Sequence, residues 1–271
     1  MKVFCIIFSL LVFSQSIYSS SKIVHSGKGV HKDSKSINND FFQIRVYHLK
    51  NDEQVKMTDD FLKDSYLPAL HRFGIKDIGV FKPISNDTAS VKLIYVLIPF
   101  SSSSEWMKIS ERIESDAKFQ SSAKSFLQAN STGAPYERME SILLEAFPKQ
   151  PFLLLPKQKN PEQVFELRSY ESPTEHLAKK KMNMFNKDEI NIFNRLKFYP
   201  VFYGKVVSGS RMPNLMYMPV FKSVEDRNAQ WKIFGDDPKW KEISADPVNE
   251  NNVSVSHIDS ILMHSTSYSD Y

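Results

Sequence analysis

The chain has 271 residues, 41% of them hydrophobic and 13% aromatic, enough to build more than one packed layer. Its 35 Lys and Arg stand against 31 Asp and Glu, interleaved along the sequence to a formal charge of +4, which argues against a nucleic-acid partner. One cysteine, Cys5, excludes an internal disulfide framework, a cysteine zinc site and iron–sulfur ligation.

Lys2 is followed by an apolar run from Val3 to Phe13 and by small polar residues from Ser14 to Ser21. That run is too short to span a bilayer and has the flanks of a cleaved signal peptide, so residues 1–21 are expected to be removed and the chain exported, periplasmic or secreted. No integral membrane segment is expected after cleavage. Residues 22–40 are rich in Ser, Lys, Gly and Asn and read as a flexible leader. Between Phe147 and Pro161 four prolines surround an apolar LLL, and residues 148–161 read as a semi-rigid linker.

The segments on either side of that linker, 41–147 and 162–271, align with each other. FFQIRVY at Phe41–Tyr47 matches VFELRSY at Val164–Tyr170, and KLIYV at Lys92–Val96 matches NLMYM at Asn214–Met218. DAKF at Asp116–Phe119 then matches DPKW at Asp237–Trp240, and ESIL at Glu140–Leu143 matches DSIL at Asp259–Leu262. Four matches in one order at a nearly constant offset indicate a duplicated unit.

Each copy opens on an alternating strand, and a helix follows. Ser172, Pro173 and Glu175 supply an N-cap, a first-turn proline and a capping-box acid for a second-copy helix reaching about Lys197. In the first copy Val55, Leu62, Tyr66, Leu70 and Phe73 hold the helical period, Pro68 is expected to kink it and Gly74 to stop it. Two strands come next (75–81 and 91–99; 201–207 and 215–221), then a helix (103–129; 223–243) and a last strand (138–147; 253–263). The order β-α-β-β-α-β is the ferredoxin-like split unit, with both helices on one sheet face. Its bare face needs cover, and two copies supply it by packing sheet against sheet. The expected fold is therefore α+β: two tandem ferredoxin-like units closed into a dimeric α+β barrel within one chain.

At FELRSY, MFN, PVFYG, MPNLMYM, DRNAQW and DPKW the second copy resembles the NIPSNAP family, over about Val164 to Tyr271. PALHRFGIKDIGVF at Pro68–Phe81 looks like the corresponding segment in the first repeat of bacterial members. The resemblance implies the same dimeric α+β barrel. It implies no shared catalytic set, and the mitochondrial trafficking and mitophagy roles of eukaryotic members do not carry over to an exported chain.

Candidate chemistry concentrates in the second copy. If Phe165 and Leu167 face the helices, then Glu166, Arg168 and Tyr170 point into the barrel, as do Gln43, Arg45 and Tyr47 in the first copy. Such a trio is either a pocket lining or a Glu–Arg pair that pins the sheet. Glu189 lies in the apolar stripe of Met182, Phe185, Ile192, Phe193 and Leu196, where it is either a base of raised pKa or an acid at the stripe's edge. Matching Lys63 with Lys187 sets Ser65 opposite it in the first copy. Asn186, Tyr203 and His176 are further candidate ligand contacts; Asn186 and Asn214 equally suit turn or capping roles, and His176 an exposed helix position. Trp231, Phe234 and Trp240 read as core, with Arg227 covering the Trp231 ring. The seven histidines form no metal pattern, and phosphate loops and nucleophile elbows are absent, so neither a metal nor a cofactor is expected.

Two functions stay open. In the first, the second half binds a small apolar or aromatic ligand at Arg168, Tyr170, Glu189 and Tyr203 and transforms it without metal. In the second, the barrel is filled by residues such as Phe202, Met216 and Tyr217, and the protein is a non-enzymatic interaction or scaffold module. Either is compatible with a homo-oligomer.

Overall fold

The computed structural model describes residues 39–157, 159–247, 249 and 251–271. The expected signal peptide, with Cys5, and nearly all of the leader lie outside the described residues. The first copy runs β1 (Phe41–Leu49), α1 (Asp52–Phe61), a π-helical turn (Leu62–Tyr66), α2 (Leu67–Arg72), β2 (Gly79–Pro83), β3 (Lys92–Phe100), α3 (Ser103–Glu114), α4 (Ala117–Ser122), α5 (Lys124–Leu127) and β4 (Arg138–Ala146). Its counterpart runs β5 (Val164–Glu171), α6 (Glu175–Met184), a π-helical turn (Phe185–Glu189), α7 (Ile190–Arg195), β6 (Tyr199–Ser208), β7 (Asn214–Phe221), α8 (Val224–Asp236), α9 (Pro238–Ser244), α10 (Asn251–Ser254) and β8 (His257–Ser265). Among the described residues no helix is long and apolar enough to cross a membrane.

The eight strands close in the order β1-β3-β2-β8-β5-β7-β6-β4, with every pair antiparallel. Each copy contributes one four-stranded sheet, β4-β1-β3-β2 or β8-β5-β7-β6. The second strand of each copy then pairs with the last strand of the other, β2 with β8 and β6 with β4. Closure leaves no sheet edge and gives the α+β barrel expected from the duplication.

Alternation along β1 and β5 sorts side chains onto two faces, opposite to the expected way round. Phe42, Ile44, Val46, Phe165 and Leu167 enter the barrel, where Phe81, Phe202, Met216, Met218 and Tyr271 fill it. Glu166, Arg168 and Tyr170, like Gln43, Arg45 and Tyr47, face the helices instead. The reason is the filled lumen: a ring of eight short strands has room inside for side chains only, and apolar ones fill it, with the unpartnered Tyr271 hydroxyl as a polar exception. Phe81 packs tilted against Phe165 at 4.8 Å and Phe42 against Phe202 at 5.4 Å, so both copies meet ring to ring.

Two further apolar layers join each sheet to its own helices. They repeat down to single caps. Ser102 caps α3 and Ser223 caps α8; Asp116 caps α4 and Asp237 caps α9. Each of those aspartates also binds an arginine from the end of the copy's first helical hairpin arm, Arg72 with Asp116 and Arg195 with Asp237.

The helices depart from the expected lengths. Thr174, not Ser172, caps α6, and each expected first helix is interrupted by a π-helical turn. Pro68 opens α2 after the first of these, as its missing N–H requires, but the second copy has the same turn without a proline. Gly74, at φ 88°, ends α2 as expected. The second long helix of each copy is likewise broken where Asp116 and Asp237 cap a fresh turn.

The Pro-rich stretch is anchored at its start. Phe147 stacks on Tyr203, and Gln150 Nε2 donates to the carbonyls of Pro200 and Val201 at 3.2 Å.

In β2 the Phe81 ring folds back over Gly79, and a Cβ there would collide with that ring and touch Tyr271. Gly79→Ala is therefore expected to lower stability by about 1–3 kcal/mol through overpacking of the barrel. Urea unfolding of the variant beside the parent checks this.

Candidate functional site

The polar trio of β5 sits between the sheet and α6, α7 and α8, and it divides into two networks. Glu166 is fully buried and saturated. Its carboxylate accepts from Arg168 at 2.6 Å, from Arg227 at 2.6 and 2.9 Å, from Trp231 Nε1 at 2.7 Å and from Ser260 Oγ at 2.6 Å. Burial alone would raise its pKa, but these donors, Arg227 and Ser260 foremost, hold it at about 2. Glu166 is thus the structural ion pair that pins the sheet to α8. Arg227 is spent on that carboxylate, so it is Arg168 that lies over the Trp231 ring, at 4.6 Å.

The second network starts at the other side of Arg168. Its Nε and Nη2 both donate to the Tyr170 hydroxyl, at 3.2 and 2.9 Å, which leaves the Tyr170 proton to donate to Tyr217 Oη at 3.0 Å. Behind these, Glu189 is buried, and its Oε2 has no hydrogen-bond partner; neither has the buried Tyr203 hydroxyl. Burial pushes the Glu189 carboxyl up to about 7, against the pull of Lys181 and Arg168. Burial also raises the Tyr170, Tyr203 and Tyr217 hydroxyls, which Glu189 raises further, and lowers the buried Lys181. Tyr170, Tyr203 and Tyr217, the three hydroxyls within reach of the Glu189 charge, belong to one aromatic cluster with Phe147, Phe185 and Phe193. Phe185 is 5.2 Å from Tyr217, and Tyr203 is 5.8 Å from Tyr217.

The π-helical turn makes this arrangement. In a straight α-helix the side chains of Lys181 and Glu189, eight residues apart, would diverge by roughly 80°. One extra residue in the turn brings position i+8 to where i+7 would stand, on the sheet side. Lys181 and Tyr217 are the site members that sequence periodicity misses, Lys181 for this reason. Tyr217 was expected as barrel filling, but it opposes Arg168 on the helix face.

Of the expected site residues, Arg168, Tyr170, Glu189 and Tyr203 come together, on the helix side of the sheet and not in the lumen. Glu166 adjoins them as an anchor. Asn186 is a tether: its Nδ2 donates to Met182 O and its Oδ1 accepts from Lys149 N. His176 is exposed on α6 and takes no part. Asn214 is buried, donating to Ser169 Oγ at 2.8 Å, and Trp231, Phe234 and Trp240 pack in the second helix–sheet layer. Among the described residues no group of three or more His, Cys, Asp or Glu is placed to hold a metal.

The structure also corrects the pairing of the copies. The π-helical turns Leu62–Tyr66 and Phe185–Glu189 superpose element for element, so Tyr66, not Ser65, stands opposite Glu189. Likewise Val96 opposes Arg45 as Tyr217 opposes Arg168, and Tyr95 turns into the barrel. Glu189, Tyr203 and Tyr217 thus belong to the second copy alone.

Residues 165–270 match the NIPSNAP family profile. The second half of the chain is a NIPSNAP domain. No curated protein matches the chain in sequence. In fold the chain is similar to a candidate monooxygenase from Fusobacterium nucleatum (8% identity, TM-score 0.56, covering 84% of this chain and 93% of that one). It is also similar to one from Lactobacillus acidophilus (10% identity, TM-score 0.55, covering 84% and 94%) and to an anthrone oxidase-like protein (8% identity, TM-score 0.50, covering 84% and 92%). At these identities the likeness shows the α+β barrel fold, with the NIPSNAP domain as one half of it.

Two outcomes follow for the buried carboxylates. Glu166→Gln leaves Arg168 and Arg227 without their counter-charge and is expected to cost about 3 kcal/mol in denaturant unfolding. Folded Glu189 keeps its proton up to about pH 7, whereas the unfolded chain releases it near 4.5. Its contribution is therefore complete below the lower value and is lost as pH rises toward the upper one. Between pH 5 and pH 8 the parent should lose about 2–3 kcal/mol more stability than Glu189→Gln, read from urea unfolding of both proteins at the two pH values.

Proposed function

We propose that the NIPSNAP half binds a small aromatic or apolar molecule between its sheet and helices, and that Glu189 exchanges a proton with it. The observation that carries this reading is the buried, unpartnered Glu189 Oε2, with a pKa of about 7 and the Tyr170, Tyr203 and Tyr217 hydroxyls in range of its charge. A carboxyl of that pKa is matched to proton transfer near neutral pH, and a buried polar atom without a partner is expensive to keep for structure alone. The unpartnered Tyr203 hydroxyl beside it offers a hydrogen bond to the same guest, and Arg168, through Tyr170 and Tyr217, supplies positive charge to a developing anion. None of these groups needs a metal to act. Neighbours named for monooxygenase and anthrone oxidase chemistry share the fold, which makes acidic aromatic compounds reasonable guests. The signal-peptide-like start supports reading this activity as that of an exported protein.

The filled lumen favours the alternative, a scaffold module, and it removes the barrel interior as a ligand site. The helix-side cluster is a separate location, and the two readings part on one experiment. 2-Naphthol, whose emission reports loss of its proton, should bind the full chain and show a proton-transfer transition near pH 7 that Glu189→Gln abolishes. A scaffold module would leave the naphthol emission unchanged at every pH.

A further inference from the structure

The Glu166 network has a counterpart in the first copy with different chemistry. Gln43 stands where Glu166 does, Arg45 where Arg168 does and Ser141 where Ser260 does. Gln43 Nε2 donates to Ser141 Oγ at 2.8 Å, and its Oε1 accepts from Arg45 Nε at 3.3 Å. Counted from the caps Ser102 and Ser223, the positions of Arg227 and Trp231 on α8 are held on α3 by Trp106 and Ser110. The carboxylate and the arginine that clamp it are both gone.

Two things result. The space that the clamp fills in the second copy is here a cleft of about 400 Å³ lined by Gln43, Trp106, Met107, Ile109 and Ser110. Arg45, which rests on the Tyr66 ring at 4.6 Å, has no carboxylate partner among the described residues, whereas Arg168 has Glu166 at 2.6 Å. A partly buried guanidinium without a counter-ion is costly, and an anion that reaches it recovers the loss. Arg45 does not itself line the cleft; Gln43, which does, accepts from Arg45 Nε and so couples the cleft to that charge, and Trp106, Met107 and Ile109 give the rest of the lining apolar surface for a flat ring. The nearby acid Glu105 is turned away, accepting from Ser101 N at 2.8 Å and Ser101 Oγ at 2.9 Å.

We propose that this cleft binds an aromatic monocarboxylate, its carboxylate on the Gln43 amide with Arg45 behind it and its ring along Trp106. The guest's carboxylate takes the place that the Glu166 carboxylate fills in the other copy. This site is independent of the Glu189 cluster and lies in the other half of the barrel.

Isothermal titration of the full chain with 2-naphthoate tests the assignment. Binding is expected, at least tenfold tighter than that of uncharged 2-naphthamide. Gln43→Glu installs the second copy's own carboxylate beside Arg45, so it should weaken naphthoate at least tenfold while the variant unfolds at the same or higher denaturant. Trp106→Leu, a change of one half-buried apolar side chain for another on α3, should weaken naphthoate severalfold while the chain stays folded by circular dichroism. Equal affinity for naphthoate and naphthamide overturns the proposal, as does naphthoate affinity untouched by both substitutions.

Discussion

The packing of two apolar sheet faces against each other governs this molecule. Phe42, Phe81, Phe165 and Phe202 meet inside the barrel, and no half could bury its own inner face alone. Because the lumen is spent on that contact, the polar trio of the first strand in each copy, Gln43, Arg45 and Tyr47 or Glu166, Arg168 and Tyr170, is turned outward, under the helices. The chemistry of the protein is consequently housed in two helix–sheet layers, one per copy, and each layer was free to diverge once closure was secured.

How they diverged is visible in matched positions. Both layers keep a strand arginine, a strand tyrosine two residues on, a π-helical turn and an aspartate cap bound by arginine. In the NIPSNAP half the arginine is paired with Glu166, which it shares with Arg227, and the π-helical turn delivers a carboxyl, Glu189, into the buried layer beside Tyr170, Tyr203 and Tyr217. In the other half the arginine lacks its acid, the π-helical turn delivers Tyr66, and the clamp residues are replaced by Trp106 and Ser110 beside an open cleft. One layer has a buried, unpartnered carboxyl; the other has a cleft and an arginine without an acid partner among the described residues. A duplication that reads as one working half and one supporting half is, in the structure, two differently built layers.

Much of this was legible in the chain. The internal matches at FFQIRVY and VFELRSY, and the strand and helix order around them, led to the barrel, and the apolar stripe singled out Glu189. The face of β5 was not legible, because Glu166, Arg168 and Tyr170 alternate with Phe165 and Leu167 equally well in either orientation. Nor was the true partner of Glu189 in the first copy. Aligning Lys63 with Lys187 is a match of letters, while the superposed π-helical turns put Tyr66 there.

By itself, then, the sequence determined the duplication, the class of fold and the residues with chemical potential, because these follow from local periodicity and from composition. Only the tertiary structure decided which way each strand faces, that Lys181 and Glu189 share a side, and that Arg45 and Arg168 end in opposite electrostatic states. The first and last of these depend on contacts between segments distant in the chain, such as Glu166 with Arg227 at 61 residues and Trp231 at 65, and the second on a π-helical turn that the 3.6-residue period does not announce.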